Sequence, residues 1–128
     1  MKKSVIFFLI LFAIDFFAQN QNDFELKQYY FVMLKKGPNR NQDSLQSQKI
    51  QEGHMKNITD LSNDGKLVCA GPFGDEEGGG ILILNASTFE EAKSMVERDP
   101  AIISGRLISE IRPWWTDKRT FSLELESE

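Results

Sequence analysis

Short apolar runs and two amphipathic stretches alternate along the chain. Apolar runs at 67–70 and 81–84 flank a segment rich in Gly, Pro, Asp and Glu, a pattern that predicts two strands joined by a hairpin-like loop. An aromatic and β-branched run over 28–34 predicts the first strand, and a run over 107–111, closed by Pro113, predicts the last. We expect these strands to form a sheet that is covered on at least one face.

The first amphipathic stretch predicts a long helix over residues 44–63. Asp43 and Gln46 have the spacing of a capping box, and Gly65 favours the left-handed conformation that ends many helices. Gly53 inside this helix costs about 1 kcal/mol relative to alanine, which predicts either a close approach or an early break. The apolar side of the helix is a stripe at helical spacing formed by Ile50, His54, Ile58 and Leu61.

The second amphipathic stretch predicts a shorter helix. Ser87 and Glu90 have capping-box spacing at its start, and Pro100 ends it while favouring an extended conformation at Asp99. Its inward face is predicted to consist of Phe89, Ala92, Met95 and Val96. Ile102 and Ile103 are expected to fill the core before the last strand begins.

The order strand, helix, strand, strand, helix, strand predicts an α+β fold, a ferredoxin-like βαββαβ sandwich. In this arrangement one layer of helices covers one face of a four-stranded antiparallel sheet. The other face, if left bare, would be a large apolar patch, and such a patch commonly packs against a second copy. We therefore expect a homodimer that forms through the open face of the sheet.

Composition and charge limit the class of protein. The chain has 128 residues, the size of one domain, with 41% apolar and 27% charged residues, which is typical of a globular protein. Its formal net charge is −4, so it lacks the excess of basic residues that binding to nucleic-acid phosphates requires. We expect no nucleic-acid partner.

The chain begins with a pattern typical of a secretory signal peptide over residues 1–18. Lys2 and Lys3 precede an apolar run that is too short and too interrupted for a convincing membrane span, although an uncleaved anchor is the alternative interpretation. We expect an exported protein, periplasmic or secreted, without membrane contact after cleavage. The remaining segments are a flexible lead-in over 19–27, a folded domain over 28–115 and a polar tail over 116–128 that can add an edge strand.

Neither a metal nor a cofactor is predicted. Cys69 is the single cysteine, and among apolar neighbours it is most simply a small core residue. One histidine and one cysteine do not make a metal-ligand cluster. The glycines at 78–80 lead into a strand and lack the helix and lysine of a phosphate-binding loop.

His54 is the single histidine, the residue type whose charge changes near neutral pH. A lone histidine on an apolar helix face is more often a hydrogen-bonded core residue than a catalyst. Asp99 is the most interesting carboxylate to place beside it, although Asp before Pro is commonly a turn or capping residue. From the residues alone, both interpretations of both side chains stay open.

Six short motifs, in their order and spacing, resemble the YCII-related family. They are Gly53-His54-Met55, Gly65-Lys66-Leu67, Ala70-Gly71-Pro72-Phe73, Gly80-Ile81-Leu82-Ile83, Asp99-Pro100 and Ile111-Arg112-Pro113-Trp114. The resemblance covers about residues 29–115 and implies the dimeric α/β barrel type of the ferredoxin-like fold. It also implies a His and Asp pair as the active centre, which falls on His54 and Asp99.

With this resemblance, the expected function is a cofactor-free acid-base enzyme, of isomerase or lyase type, acting on a small cyclic or aromatic molecule. Asp99 would hold one ring nitrogen of His54 and leave the other to transfer a proton. Tyr30, Phe73 and Trp114 are candidates for the apolar wall of the pocket, with core or dimer contacts as the alternative. A non-catalytic dimeric module that binds a small ligand or stabilises an assembly is the alternative function.

Overall fold

The computed structural model describes residues 24–121, which form one antiparallel sheet with helices on one side. The elements are β1 (Leu26–Lys36), α1 (Ser44–Asn63), β2 (Leu67–Pro72), β3 (Gly80–Leu84), α2 (Phe89–Glu97), α3 (Pro100–Ile103) and β4 (Leu107–Asp117). The strand order is β2-β3-β1-β4. This is the ferredoxin-like βαββαβ arrangement, so the predicted α+β fold is confirmed.

The core lies between the sheet and the helices. Strand side chains alternate between the two faces, so Tyr30, Val32 and Leu34 of β1 point towards the helices. The other buried members of this core are Leu61, Leu82, Leu84, Ala92, Met95 and Val96. This cluster lies on the helix side of the sheet, and within residues 24–121 no helix covers the opposite face. On that face Tyr29 and Ile83 are nevertheless buried, and the ring of Phe121 packs against Tyr29.

Both predicted ends of α1 are confirmed. The Asp43 carboxylate accepts the backbone N–H of Gln46 at 2.8 Å, and the side chain of Gln46 accepts the backbone N–H of Asp43. Gly65 follows the helix with a φ of 69°, a left-handed conformation that glycine adopts without strain. The helix continues through Gly53 without a break, so this glycine marks a close approach to a neighbouring element.

The second helical region differs from prediction in two details. The cap of α2 is Thr88, whose hydroxyl accepts the N–H of Glu91 at 3.1 Å, whereas the sequence pattern predicts a cap at Ser87. The carboxylate that accepts the N–H of Ser87 belongs to Glu91, whereas the predicted partner is Glu90. Both the cap and the glutamate therefore lie one residue later than predicted. Ile103 is 71% exposed, because the single turn of α3 directs Ala101 into the core instead.

The first and last strands of the chain, β1 and β4, are longer than the sequence pattern predicts. β4 continues through Pro113 to Asp117, because it is an edge strand that pairs only with β1 and has no second neighbour for the missing N–H. β1 correspondingly begins at Leu26, inside the predicted lead-in, opposite Asp117. Of the predicted extra edge strand, Phe121 lies in a turn and the remainder lies outside the described residues.

Cys69 is exposed, contrary to the prediction that it fills the core. It lies in β2, the other edge strand, and pairs with Ile83, whose side chain is on the face opposite the helices. The predicted signal peptide over 1–18 and most of the lead-in lie outside the described residues. Between residues 24 and 121, none of the helices has the length and apolar character that crossing a membrane requires.

Candidate active site

A cleft of about 500 Å³ lies between α1 and the sheet. Its helix side is formed by the predicted apolar stripe, since Ile50, His54 and Ile58 all line it. These residues are not fully buried, because the stripe borders this open cleft rather than a solid core. The facing wall comes from the strands and from the residue before β3, with Leu34, Ala70, Gly71, Pro72, Gly79, Gly80, Ile81, Leu82 and Leu107.

His54 and Asp99 meet at the edge of this cleft. Nδ1 of His54 lies 2.6 Å from Oδ2 of Asp99, and the two side chains are only 12% and 3% exposed. The other carboxylate oxygen of Asp99 accepts the backbone N–H of Ala101 at 2.8 Å, which caps α3. Because an ionised carboxylate can only accept hydrogen bonds, Nδ1 is the ring nitrogen that carries the proton. Within residues 24–121 no side chain or backbone group is hydrogen-bonded to Nε2 of His54, which leaves that nitrogen for a ligand in the cleft.

The pair depends on a close contact between α1 and α3. Gly53 directly precedes His54, and Pro100 directly follows Asp99. A Cβ added at Gly53 would lie 2.7 Å from Cγ of Pro100, closer than real side chains approach. The absence of a side chain at position 53 therefore allows the two segments to come close enough for the short His54–Asp99 hydrogen bond.

We expect Gly53→Ala to destabilise the protein by about 1–3 kcal/mol, the usual cost of overpacking a close contact. Helix propensity alone predicts the opposite sign, a gain of about 1 kcal/mol. Chemical denaturation measures the difference, with Gly74→Ala as the matched control because a Cβ at Gly74 meets nothing within 4 Å. A Gly53→Ala variant that is more stable than the wild type would contradict the close-contact argument.

Two arginines that the sequence analysis did not single out also line the cleft. Arg40 lies in the loop after β1, and Arg106 directly precedes β4. A single arginine in a loop carries no local signal of function. The topology is the signal, because β1 and β4 are antiparallel neighbours and Lys36 pairs with Leu107, so both arginines lie at the same end of the sheet.

The three aromatic residues predicted to form the pocket wall lie elsewhere. Tyr30 is buried at the other end of the core-facing side of β1, where its ring packs against Phe89 with centroids 6.2 Å apart. Phe73 borders a separate surface depression beside Asp75 and Glu77. Trp114 is on the opposite face of the sheet because it pairs with Tyr29 rather than with an inward-facing residue. The described cleft is walled by aliphatic side chains and glycine backbone instead.

The chemistry that this arrangement supports is proton transfer. A histidine held by a buried carboxylate presents one nitrogen in a fixed orientation. In the part of the chain that the structure describes, no three His, Cys, Asp or Glu side chains come together as a metal-ligand cluster.

The fold and the cleft define a ferredoxin-like α+β protein with a His–Asp pair beside an apolar cavity. The family model of the YCII-related domain matches residues 29–115, and the chain belongs to this family. Among solved structures, the chain is similar to 5-chloro-2-hydroxyhydroquinone dehydrochlorinase from Burkholderia phenoliruptrix AC1100, in complex with 2,5-dihydroxybenzoquinone. The identity is 22%, the TM-score is 0.47, and the match covers 66% of this chain and 92% of that one. No curated protein matches the chain.

Proposed function

We propose that this protein is an acid-base enzyme of isomerase or lyase type that acts on a small cyclic or aromatic molecule. The observation that carries the proposal is the 2.6 Å contact between Nδ1 of His54 and Asp99 at the wall of a largely apolar cleft of about 500 Å³. A cleft of this size suits a small molecule with a single ring. Proton transfer by one oriented histidine needs no cofactor.

In the proposed reaction, Nε2 of His54 accepts a proton from a substrate C–H or O–H group. The electron pair of the broken bond forms a new π bond, either while another double bond takes up a proton or while a leaving group departs with its own electron pair. Asp99 stabilises the positive charge on the ring through the hydrogen bond at Nδ1. Returning the proton from Nε2 to substrate, product or water restores the starting state.

Hydrogen-deuterium exchange tests the proposal with a set of candidate substrates rather than a single compound. A panel of small cyclic ketones, acids and phenols is incubated with the protein in D₂O, and ¹H NMR follows loss of signal at each carbon. An acid-base enzyme exchanges a specific C–H position of its substrate, whereas a module that only binds ligand shifts protein resonances without exchange. Binding in the cleft with no exchange or product from any compound would favour the non-catalytic alternative.

Export and dimerisation belong to the same proposal. Export is supported by the basic and apolar pattern of residues 1–18. Dimerisation is supported by the sheet face opposite the helices, where the register brings together apolar side chains from three strands. They are Phe31, Met33, Ile81 and Trp114, none of which is fully buried within this chain. A second copy that packs on this face would remove the patch from water.

We expect Phe31→Glu to convert a wild-type dimer into a monomer. The new carboxylate would be buried without compensation in the dimer, yet in the monomer it lies opposite Arg112 on β4, a favourable cross-strand pair. Sedimentation equilibrium measures the mass of both proteins, and Thr59→Glu on the exposed side of α1 is the charge-matched control. A wild-type protein that sediments as a monomer at high concentration would contradict the proposed dimer.

A further inference from the structure

The charged side chains that line the cleft all have one sign. The ionisable residues of its wall are Arg40, His54 and Arg106, and no aspartate or glutamate lines it. This is notable in a chain with 19 acidic residues, 15 lysines and arginines and a net charge of −4. Arginine stays charged at all physiological pH values, so the two guanidinium groups place more positive charge at the cleft than the one carboxylate beside it, that of Asp99 behind His54, can offset.

The two arginines are held by a network that ties the loop after β1 to the turn before β4. The backbone N–H of Gly37 donates to the carbonyl of Arg106 at 2.7 Å, and the N–H of Asn39 donates to the carbonyl of Gly105 at 3.1 Å. Nη1 of Arg40 donates to the same Arg106 carbonyl at 2.8 Å. The two guanidinium groups therefore come from one hydrogen-bonded corner of the fold.

Most of the donor groups on these guanidiniums are available to a ligand. Nη1 of Arg106 donates to the side chains of Gln42 and Ser47, at 3.0 and 3.3 Å. Nη1 of Arg40 makes the backbone contact given above. Between residues 24 and 121, neither arginine forms a salt bridge with a carboxylate, and Nε and Nη2 of both have no hydrogen-bond partner. A guanidinium in this state is suited to a fork-like pair of hydrogen bonds with an oxyanion.

Helix geometry gives the spacing between this positive corner and His54. Arg106 is anchored to Ser47, and His54 is seven residues further along α1, close to two full turns. The two positions therefore lie on the same side of the helix, about 10 Å apart along its axis at a rise of 1.5 Å per residue. A separation of this order is suited to one small ring held between the arginine corner and His54.

We propose that Arg40 and Arg106 bind an anionic oxygen group, a carboxylate or an ionised ring hydroxyl, on the ligand of the cleft. This anchor orients the ring so that the atom to be deprotonated faces Nε2 of His54. The inference rests on the proposed function for its catalytic consequence, because it names the charge of the substrate. The prediction that the cleft binds an anion depends only on Arg40 and Arg106, not on the proposed reaction.

Benzoate and benzamide are suitable probes, because they have nearly the same shape and differ in charge. Titrations followed by ¹⁵N–¹H NMR at the cleft amides of Gly71 and Gly80 give the dissociation constants. For the wild type we expect benzoate to bind at least about tenfold more tightly than benzamide, the effect of a charge-assisted hydrogen bond. Arg40→Gln should remove most of this preference while changing benzamide affinity by less than about twofold.

Arg40→Gln is the main variant because Arg40 is exposed and contributes a single hydrogen bond to the fold. Arg106→Gln is the second variant, with thermal unfolding to check that loss of the Gln42 and Ser47 contacts leaves the protein folded. Lys93→Gln removes a positive charge from the exposed side of α2, away from the cleft. It should leave the benzoate preference intact.

The outcomes separate this inference from the proposed enzyme. Equal binding of benzoate and benzamide to the wild type, or an unchanged benzoate preference in folded Arg40→Gln, would overturn the anionic anchor whatever the catalytic result. An arginine-dependent benzoate preference in a protein that exchanges no C–H position would support the anchor and count against the acid-base enzyme.

Discussion

Replacing His54 with asparagine should lower the rate of substrate C–H exchange by on the order of 10²–10⁴-fold, the usual contribution of a positioned general base. The substitution is chosen for its geometry. The amide nitrogen of asparagine occupies nearly the place of Nδ1 and can still donate to Oδ2 of Asp99, so the buried carboxylate keeps its partner. What the variant lacks is Nε2, the nitrogen that accepts the substrate proton in the proposed reaction. Exchange rates measured by NMR in D₂O give the effect directly.

A structural role for His54 predicts a different pattern. If the histidine only satisfied Asp99, then His54→Asn would retain activity, because the hydrogen bond at Oδ2 survives. We expect the thermal midpoint of the variant to remain within a few degrees of wild type and benzoate binding to change little, since Arg40 and Arg106 are untouched. Retained exchange in a folded His54→Asn variant would therefore refute the catalytic role.

Local sequence signals were sufficient to predict those structural elements whose ends are set by residues close by in the chain. Both ends of α1 follow from Asp43 and Gly65, each of which acts on backbone groups within a few positions. The length of β4 could not be predicted in this way. Only its pairing with β1 at the sheet edge shows that the strand can continue through Pro113. The exposure of Cys69 likewise depends on strand order, which no local pattern specifies.

The residues of the candidate site likewise fall into those that local sequence predicts and those that only the tertiary fold brings together. The stripe of α1 placed His54 on the correct side of the helix, and Gly53 signalled a close approach. The partner in that approach, Pro100, is 47 residues away, and the residues alone gave no reason to prefer it. Arg40 and Arg106 were missed because two loop positions become neighbours only when the first and last strands pair. The aromatic wall was predicted without knowledge of the strand pairing, whereas strand alternation and position along β1 decide which rings reach the cleft.

Asp99→Asn should lower the exchange rate by on the order of 10²–10⁴-fold with little change in stability. The asparagine oxygen can still accept the N–H of Ala101, because asparagine caps helices as well as aspartate does. Its amide nitrogen then faces Nδ1 of His54 as a donor, where Oδ2 had been an acceptor. The neutral imidazole can meet this donor only by moving its proton to Nε2, and a protonated Nε2 cannot act as the base. Rotating the amide would restore Nδ1 but would set a donor against the Ala101 N–H.

Asp99→Ala is the informative contrast, since it removes both hydrogen bonds of a side chain that is 2% exposed. The lost cap costs about 1 kcal/mol and the unsatisfied imidazole donor about 1–3, so we expect a loss of about 2–4 kcal/mol in the free energy of unfolding. Urea denaturation of the two variants thus separates capping from catalysis at one position. In the proposed reaction His54 and Asp99 act as a unit, so the double variant His54→Asn, Asp99→Asn should be no slower than His54→Asn alone. Additive losses in rate would mean that Asp99 contributes to the reaction by a route other than the imidazole ring.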